Sequence, residues 1–186
     1  MATQLRVNDV YNLAGKRLVA SGVGNVVSSD FTQTCEPYLC YTKVDGDGTR
    51  FNALSLSVTP RKSTNILVMQ WVLTGEVSWN EVLLIHRNDA LITDGGQQGY
   101  NNEVGNIRWS GLLGGWYDNN NASTPASWKL TYHCVANTTS KLYFTPAVRS
   151  SQGNEDWWRL NRTWNSNGQN SYERTCSLGY LFEIGT

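Results

Sequence analysis

The chain has 186 residues and no formal net charge, because 15 basic residues balance 15 acidic ones and only 16% of residues are charged. This length suffices for one domain with a sizeable core, alone or with a small appendage. The sequence has no run of Lys and Arg of the kind that binds nucleic acid. Its longest apolar run, residues 66–73, is too short to span a bilayer.

The first patterned segment, LRVNDVYNLAGKRLVASGVG, lies within residues 1–24. Its apolar side chains alternate with polar ones at the two-residue period of a β-strand. An isolated segment of this length cannot bury enough surface to be stable, so we predict that it serves attachment or assembly. Its predicted contact residues are Leu5, Val7, Val10 and Tyr11. It lacks the apolar centre and cleavage site of a secretion signal, so we expect synthesis in a cytoplasm.

The four cysteines are Cys35, Cys40, Cys134 and Cys176. A zinc site is disfavoured, because structural zinc ligands usually come in tight pairs and only one loose pair is present. In a reducing cytoplasm we favour buried free thiols. A Cys35–Cys40 disulfide formed after release from a cell stays open as an alternative.

Beyond residue 50 the chain is rich in β-branched and aromatic residues, and no window shows helical spacing. We predict that every strand of the domain lies within residues 51–186, and that residues 25–50 are a connecting region. The predicted strands are residues 55–60, 65–73, 81–87, 128–135, 141–148 and 176–184.

Two of these strands alternate clearly between apolar and polar side chains. One apolar face holds Trp128, Leu130, Tyr132 and Cys134, and the other holds Cys176, Leu178, Tyr180, Phe182 and Ile184. We predict that these two faces meet in the core. The fold class is therefore all-β, an antiparallel β-sandwich or jelly roll preceded by the short N-terminal strand segment.

We predict three long loops, residues 93–106, 114–127 and 149–175, which combine Asn, Gln, Ser and Gly with large aromatic residues. Their aromatic residues could bind sugar rings, or pack within the sandwich or at a subunit interface, and we favour packing. The candidates are Trp109, Trp116, Tyr117, Trp157, Trp158 and Trp164. No catalytic or metal-binding motif is present, so we predict neither an enzyme nor a cofactor.

A set of short motifs is spread along the predicted strands. Its residues are Pro60, Ser63, Ile66, Leu67, Val68, Arg87, Tyr117, Asp118, Leu130, Thr131, Tyr132, Leu181, Glu183 and Ile184. By these residues the strand series resembles the C-terminal β-domain of structural, tail-fibre-like proteins from marine and cyanobacterial tailed phages. The leader is also similar to the short leader of that family. Residues 21–50 match nothing in the family, and an Asn-rich insert replaces its usual Asp-Ser-Pro turn.

The resemblance implies a non-enzymatic virion protein, a fibre-like appendage of tail or head that assembles from identical subunits, typically three. Its implied partners are its own copies and other virion proteins, with no nucleic acid and no membrane insertion. Two alternatives follow from the aromatic segments. The first is a host-glycan binding module, and the less favoured second is a glycan-degrading spike.

Overall fold

The computed structural model describes residues 24–42, 47–77, 80–92, 111–115, 125–150, 156–164 and 173–186. Within these residues the chain is almost entirely strand, and its helical element is one short 3-10 turn at Asn52–Leu54. In chain order the strands are β1 Val26–Thr34, β2 Tyr38–Thr42, β3 Thr49–Arg50, β4 Leu56–Val58, β5 Ile66–Val77, β6 Glu81–Arg87, β7 Ala90–Leu91, β8 Leu113–Gly115, β9 Ala126–Val135, β10 Leu142–Ser150, β11 Asp156–Leu160 and β12 Ser177–Ile184.

The strands form two antiparallel sheets that enclose one main core. The first sheet has the order β1-β12-β5-β11-β2, and β9 pairs with β5 as well. The second sheet has the order β3-β10-β6-β7, with β4 beside β10 and β8 beside β6. This arrangement confirms the predicted all-β antiparallel sandwich.

The six predicted strands are all present. β5 continues to Val77 and β10 to Ser150, both beyond their predicted ends. Residues 149–175 were expected to be loop throughout, but β11 lies within them and pairs with both β2 and β5. β11 has only five residues, and its apolar residues Trp157, Trp158 and Leu160 do not alternate regularly with polar ones, so it gives no clear strand signal.

Residues 25–50 contribute strands to both sheets, so the prediction that every strand lies beyond residue 50 is wrong. β1 pairs with β12 over its whole length, and β2 pairs with β11. The sequence of β1, VVSSDFTQT, has little apolar alternation because its inward positions are polar. Asp30 accepts a hydrogen bond from the Ser57 amide at 2.7 Å, and Thr32 donates to the Ala53 carbonyl at 3.0 Å.

The predicted inward face of β9 is confirmed, since Trp128, Leu130 and Tyr132 are buried. The predicted inward face of β12 is wrong. Tyr180 and Phe182 are 36% and 39% exposed on the outside of the sheet. The buried positions of β12 are instead the alternate ones, Ser177, Gly179, Leu181 and Glu183.

Trp71 explains why the less hydrophobic face of β12 points inward. Its indole fills the space over Gly179, where a β-carbon would lie 2.5 Å from the Trp71 Cδ1 atom. The Trp71 Nε1–H also donates to the Leu54 carbonyl at 2.8 Å, which joins β5 to the 3-10 turn. Because Trp71 of the neighbouring strand β5 fills this space, the inward positions of β12 can hold small residues or hydrogen-bonded polar residues.

Candidate functional site: the outer aromatic face

Three aromatic side chains stand together on the outside of the first sheet. Phe31 of β1 lies directly opposite Tyr180 of β12, with their ring centroids 5.2 Å apart. Phe182 follows on the same side of β12, and its ring is stacked on that of Tyr180 at 6.3 Å. Phe31 is 52% exposed. We call this cluster, with the aliphatic row described next, the outer aromatic face.

An aliphatic row continues the face across the neighbouring strands. Val26, Ile184, Ile66 and Val135 are register partners on β1, β12, β5 and β9 in turn. Directly opposed residues of antiparallel strands project to the same side of the sheet, so these side chains form one band. Val26, Ile66 and Val135 are all exposed. The face therefore extends over four strands.

β1 and β12 place no charged side chain on this face. Their outward positions are Val26, Ser29, Phe31, Gln33, Leu178, Tyr180, Phe182 and Ile184. The same side of β9 carries Lys129 and His133 in addition to Val135. Contiguous apolar surface of this kind is a candidate interaction site, because leaving it in water is unfavourable.

A disulfide between Cys35 and Cys176 corrects the cysteine predictions. The prediction of free thiols is wrong for these two residues, and the alternative Cys35–Cys40 pairing is also wrong. The bond links the residue after β1 to the residue before β12. The two half-cystines are 141 residues apart in sequence, which is why sequence proximity did not reveal the pair.

Asn161 organises the interior beside this disulfide. It is fully buried and has a positive φ of 61°. Its Nδ2 donates to the carbonyls of Thr34 and Glu36, both at 2.9 Å, and its Oδ1 accepts from the Ser177 hydroxyl at 2.7 Å. Its backbone N–H donates to the Thr74 carbonyl at 2.8 Å. One residue thus fixes the end of β1, the segment before β2 and the start of β12 against β5.

The remaining cysteines, Cys40 and Cys134, form no disulfide, as predicted. Cys40 is in the core, where burial, and to a smaller extent the nearby charge of Glu81, raise the pKa of its thiol to about 12. Cys40 therefore stays protonated and unreactive at neutral pH, because the thiolate is the nucleophilic form.

The structure describes three of the six predicted aromatic site residues and places them in different environments. Trp158 is fully buried, 4.5 Å from the Trp128 ring and 5.5 Å from the Phe51 ring, so its role is packing. Trp157 points outward, is 39% exposed and lies 4.8 Å from the Tyr41 ring.

Trp164 is half-buried, and its ring contacts the Arg159 guanidinium. Its backbone N–H donates to Glu76 at 2.5 Å, so Trp164 covers a buried carboxylate. The other candidates lie outside the described residues. They are Trp109, Trp116, Tyr117 and the leader residues Leu5, Val7, Val10 and Tyr11.

Two polar residues that carry the family resemblance make contacts between elements. The buried carboxylate of Glu183 accepts hydrogen bonds from the Arg61 amide and from Asn65 Nδ2, both at 2.6 Å. The Arg87 guanidinium donates to the Ala136 carbonyl at 2.5 Å. These contacts secure the ends of β12 and β6, so a role in stability accounts for both residues.

No protein-family model matches this chain, and no curated protein matches it at a significant level. In the described ranges, no helix is long and apolar enough to cross a membrane. In the same ranges, His, Cys, Asp and Glu form no group of three that could hold a metal ion.

Proposed function

We propose that this chain is a non-enzymatic structural protein of a tailed-phage virion, a fibre-like appendage assembled from identical subunits. The observation that carries the proposal is the outer aromatic face, whose exposed apolar side chains are those expected of a subunit interface. In this assembly the face of one subunit covers a face of the next. The virion as the location, and three as the number of subunits, are inferred from the resemblance to phage fibre proteins.

Charge favours a second copy of the chain as the occupant of this face. β1 and β12 present only neutral residues there, and the whole chain has no formal net charge. Two copies can therefore approach without like-charge repulsion. A strongly charged partner would lose hydration without gaining an opposite charge, which is unfavourable.

The edge of the first sheet supports the same occupant. β1 has nine residues and, among the described strands, pairs only with β12, so it forms an edge of the sheet. A long edge strand offers unpaired backbone groups to another chain. The edge strand and the apolar surface adjoin, so one copy can use both.

The first prediction tests the subunit contact. The double variant Phe31→Gln/Phe182→Gln should be monomeric where the wild-type chain is oligomeric, because two amides replace the apolar rings without disturbing the core. Light scattering coupled to gel filtration gives the mass in solution, against 20.8 kDa for one chain.

The matched control is Tyr143→Gln, because Tyr143 is 48% exposed on the second sheet. This variant should keep the wild-type mass, and circular dichroism should show that both proteins are folded. A monomeric wild type at micromolar concentrations would refute the proposed self-assembly. An oligomeric double variant would place the contact elsewhere on the chain.

The second prediction concerns the leader, whose structure lies outside the described residues. Removing residues 1–23 deletes none of the described strands, so the melting temperature should change little. Incorporation into the virion should be lost, because we assign the attachment contacts to this leader. Antibody labelling and electron microscopy of particles that carry the full or shortened chain measure this directly. Normal labelling with the shortened chain would contradict the assignment.

A further inference from the structure

A cavity of about 150 Å³ opens where the chain passes from β1 to β2. Its lining residues are Thr34, Glu36, Tyr38, Phe51, Asn52, Ala53 and Leu160. The cavity lies on the inner side of the first sheet, beside the 3-10 turn, and is separate from the outer aromatic face. An apolar cavity of about this volume accommodates a benzene molecule, so a single six-membered ring fits.

The cavity is apolar inside and polar at several points of its wall. The side chains of Phe51 and Leu160 are both buried to 2% exposure, and Tyr38 remains 53% exposed. The polar residues of the lining are Glu36, Asn52 and Thr34. A few polar groups around an apolar interior are typical of small-molecule sites.

The wall of the cavity is held in place before any ligand binds. Asn161 donates to the carbonyls of Thr34 and Glu36, and the disulfide fixes Cys35 between them. On the opposite wall, the Ala53 carbonyl accepts from Thr32. A preorganised site loses less conformational entropy on binding.

We propose that this cavity binds one neutral pyranose ring of a glycan. The C–H side of a pyranose is apolar and suits the aromatic lining, while its hydroxyls can donate to Glu36 and pair with Asn52. None of the lining side chains is cationic. The Glu36 carboxylate would repel the carboxylate of an acidic sugar, so the site selects uncharged rings.

This inference goes beyond the proposed virion role and does not require self-assembly. It also differs from the glycan site predicted from the aromatic segments, because none of the three candidates that the structure describes, Trp157, Trp158 and Trp164, lines the cavity. Binding and oligomeric state are measured separately, so either proposal can fail alone.

Saturation-transfer NMR on the full chain tests the proposal. The probes are the methyl glycosides of glucose, galactose and mannose, with the methyl glycoside of glucuronic acid as the acidic comparison, all at millimolar concentration. We expect transfer to at least one neutral glycoside and none to the glucuronide. Tyr38→Ala should weaken binding about tenfold or more, whereas Tyr38→Phe should keep it within about threefold.

Tyr143→Ala is the matched control, because Tyr143 has a similar exposure of 48% but lies outside the cavity. It should bind like the wild type. Glu36→Gln should reduce the discrimination against the glucuronide. The proposal is overturned if no neutral glycoside binds, or if Tyr38→Ala binds as tightly as Tyr143→Ala.

Discussion

Replacing both Cys35 and Cys176 by serine should lower the free energy of unfolding by about 3 to 5 kcal/mol. The disulfide closes a loop with a sequence separation of 141 residues. Closing so long a loop removes much of the conformational freedom of the unfolded chain, and this is the main source of the stabilisation. Urea unfolding of the oxidised protein, followed by circular dichroism, measures the difference between the variant and the wild type.

The control for this prediction is Cys134→Ser, which removes a half-buried thiol that forms no disulfide. Its effect should stay within about 1 kcal/mol. In a strong reducing agent, the wild type should fall to about the stability of the double serine variant. Equal stability of the oxidised wild type and the double variant would show that the bond does not contribute to folding.

Trp158→Ala should destabilise the domain by about 3 to 5 kcal/mol, because it leaves a large cavity between the sheets. Trp158 has no exposed surface, and it packs against the rings of Phe51 and Trp128. These contacts connect β11 to the segment before the 3-10 turn and to β9. Thermal and urea unfolding should both show the loss.

The preceding residue offers a matched control for Trp158. Trp157 is on the outer side of the same strand and is 39% exposed. Trp157→Ala removes the same side chain but opens no internal cavity, so it should cost about 1 kcal/mol or less. If the two variants were equally destabilised, the inward position of Trp158 would be wrong.

Strands with regular hydrophobic alternation were predictable from sequence. β9 is such a case, and its buried face was predicted correctly. A strand with apolar side chains on only one of its sides can contribute that side alone to the core. The fold class followed from several strands of this kind. β1 was missed because its inward side chains are polar and are paired with groups of the second sheet and the 3-10 turn.

β12 shows why alternation alone does not decide which face is buried. Its more hydrophobic face is outside, because Trp71 already fills the interior over Gly179 and one carboxylate oxygen of Glu183 accepts two hydrogen bonds there. Both causes lie on other segments of the chain. The exposed Phe31 could have suggested an outer aromatic cluster only once its pairing with Tyr180 was known.

The cavity was not predictable from sequence for a similar reason. Its lining comes from β1, β2, the 3-10 turn and β11, which are distant along the chain. Asn161 lies in a segment that was predicted to be a polar loop, so its side-chain hydrogen bonds to Thr34, Glu36 and Ser177 had no sequence signal. Contacts between remote segments require the assembled fold.

The position of the disulfide also determines how the domain bears mechanical load. A pull on the chain ahead of Gly24 would peel β1 from β12 one hydrogen bond at a time, beginning beside Gly185. Peeling would stop at Cys35, after nine strand residues, or about 30 Å of extended chain, had been released. The force would then pass through Cys176 to β12, which remains paired with β5. The first sheet can therefore yield at its edge under tension while the core stays closed.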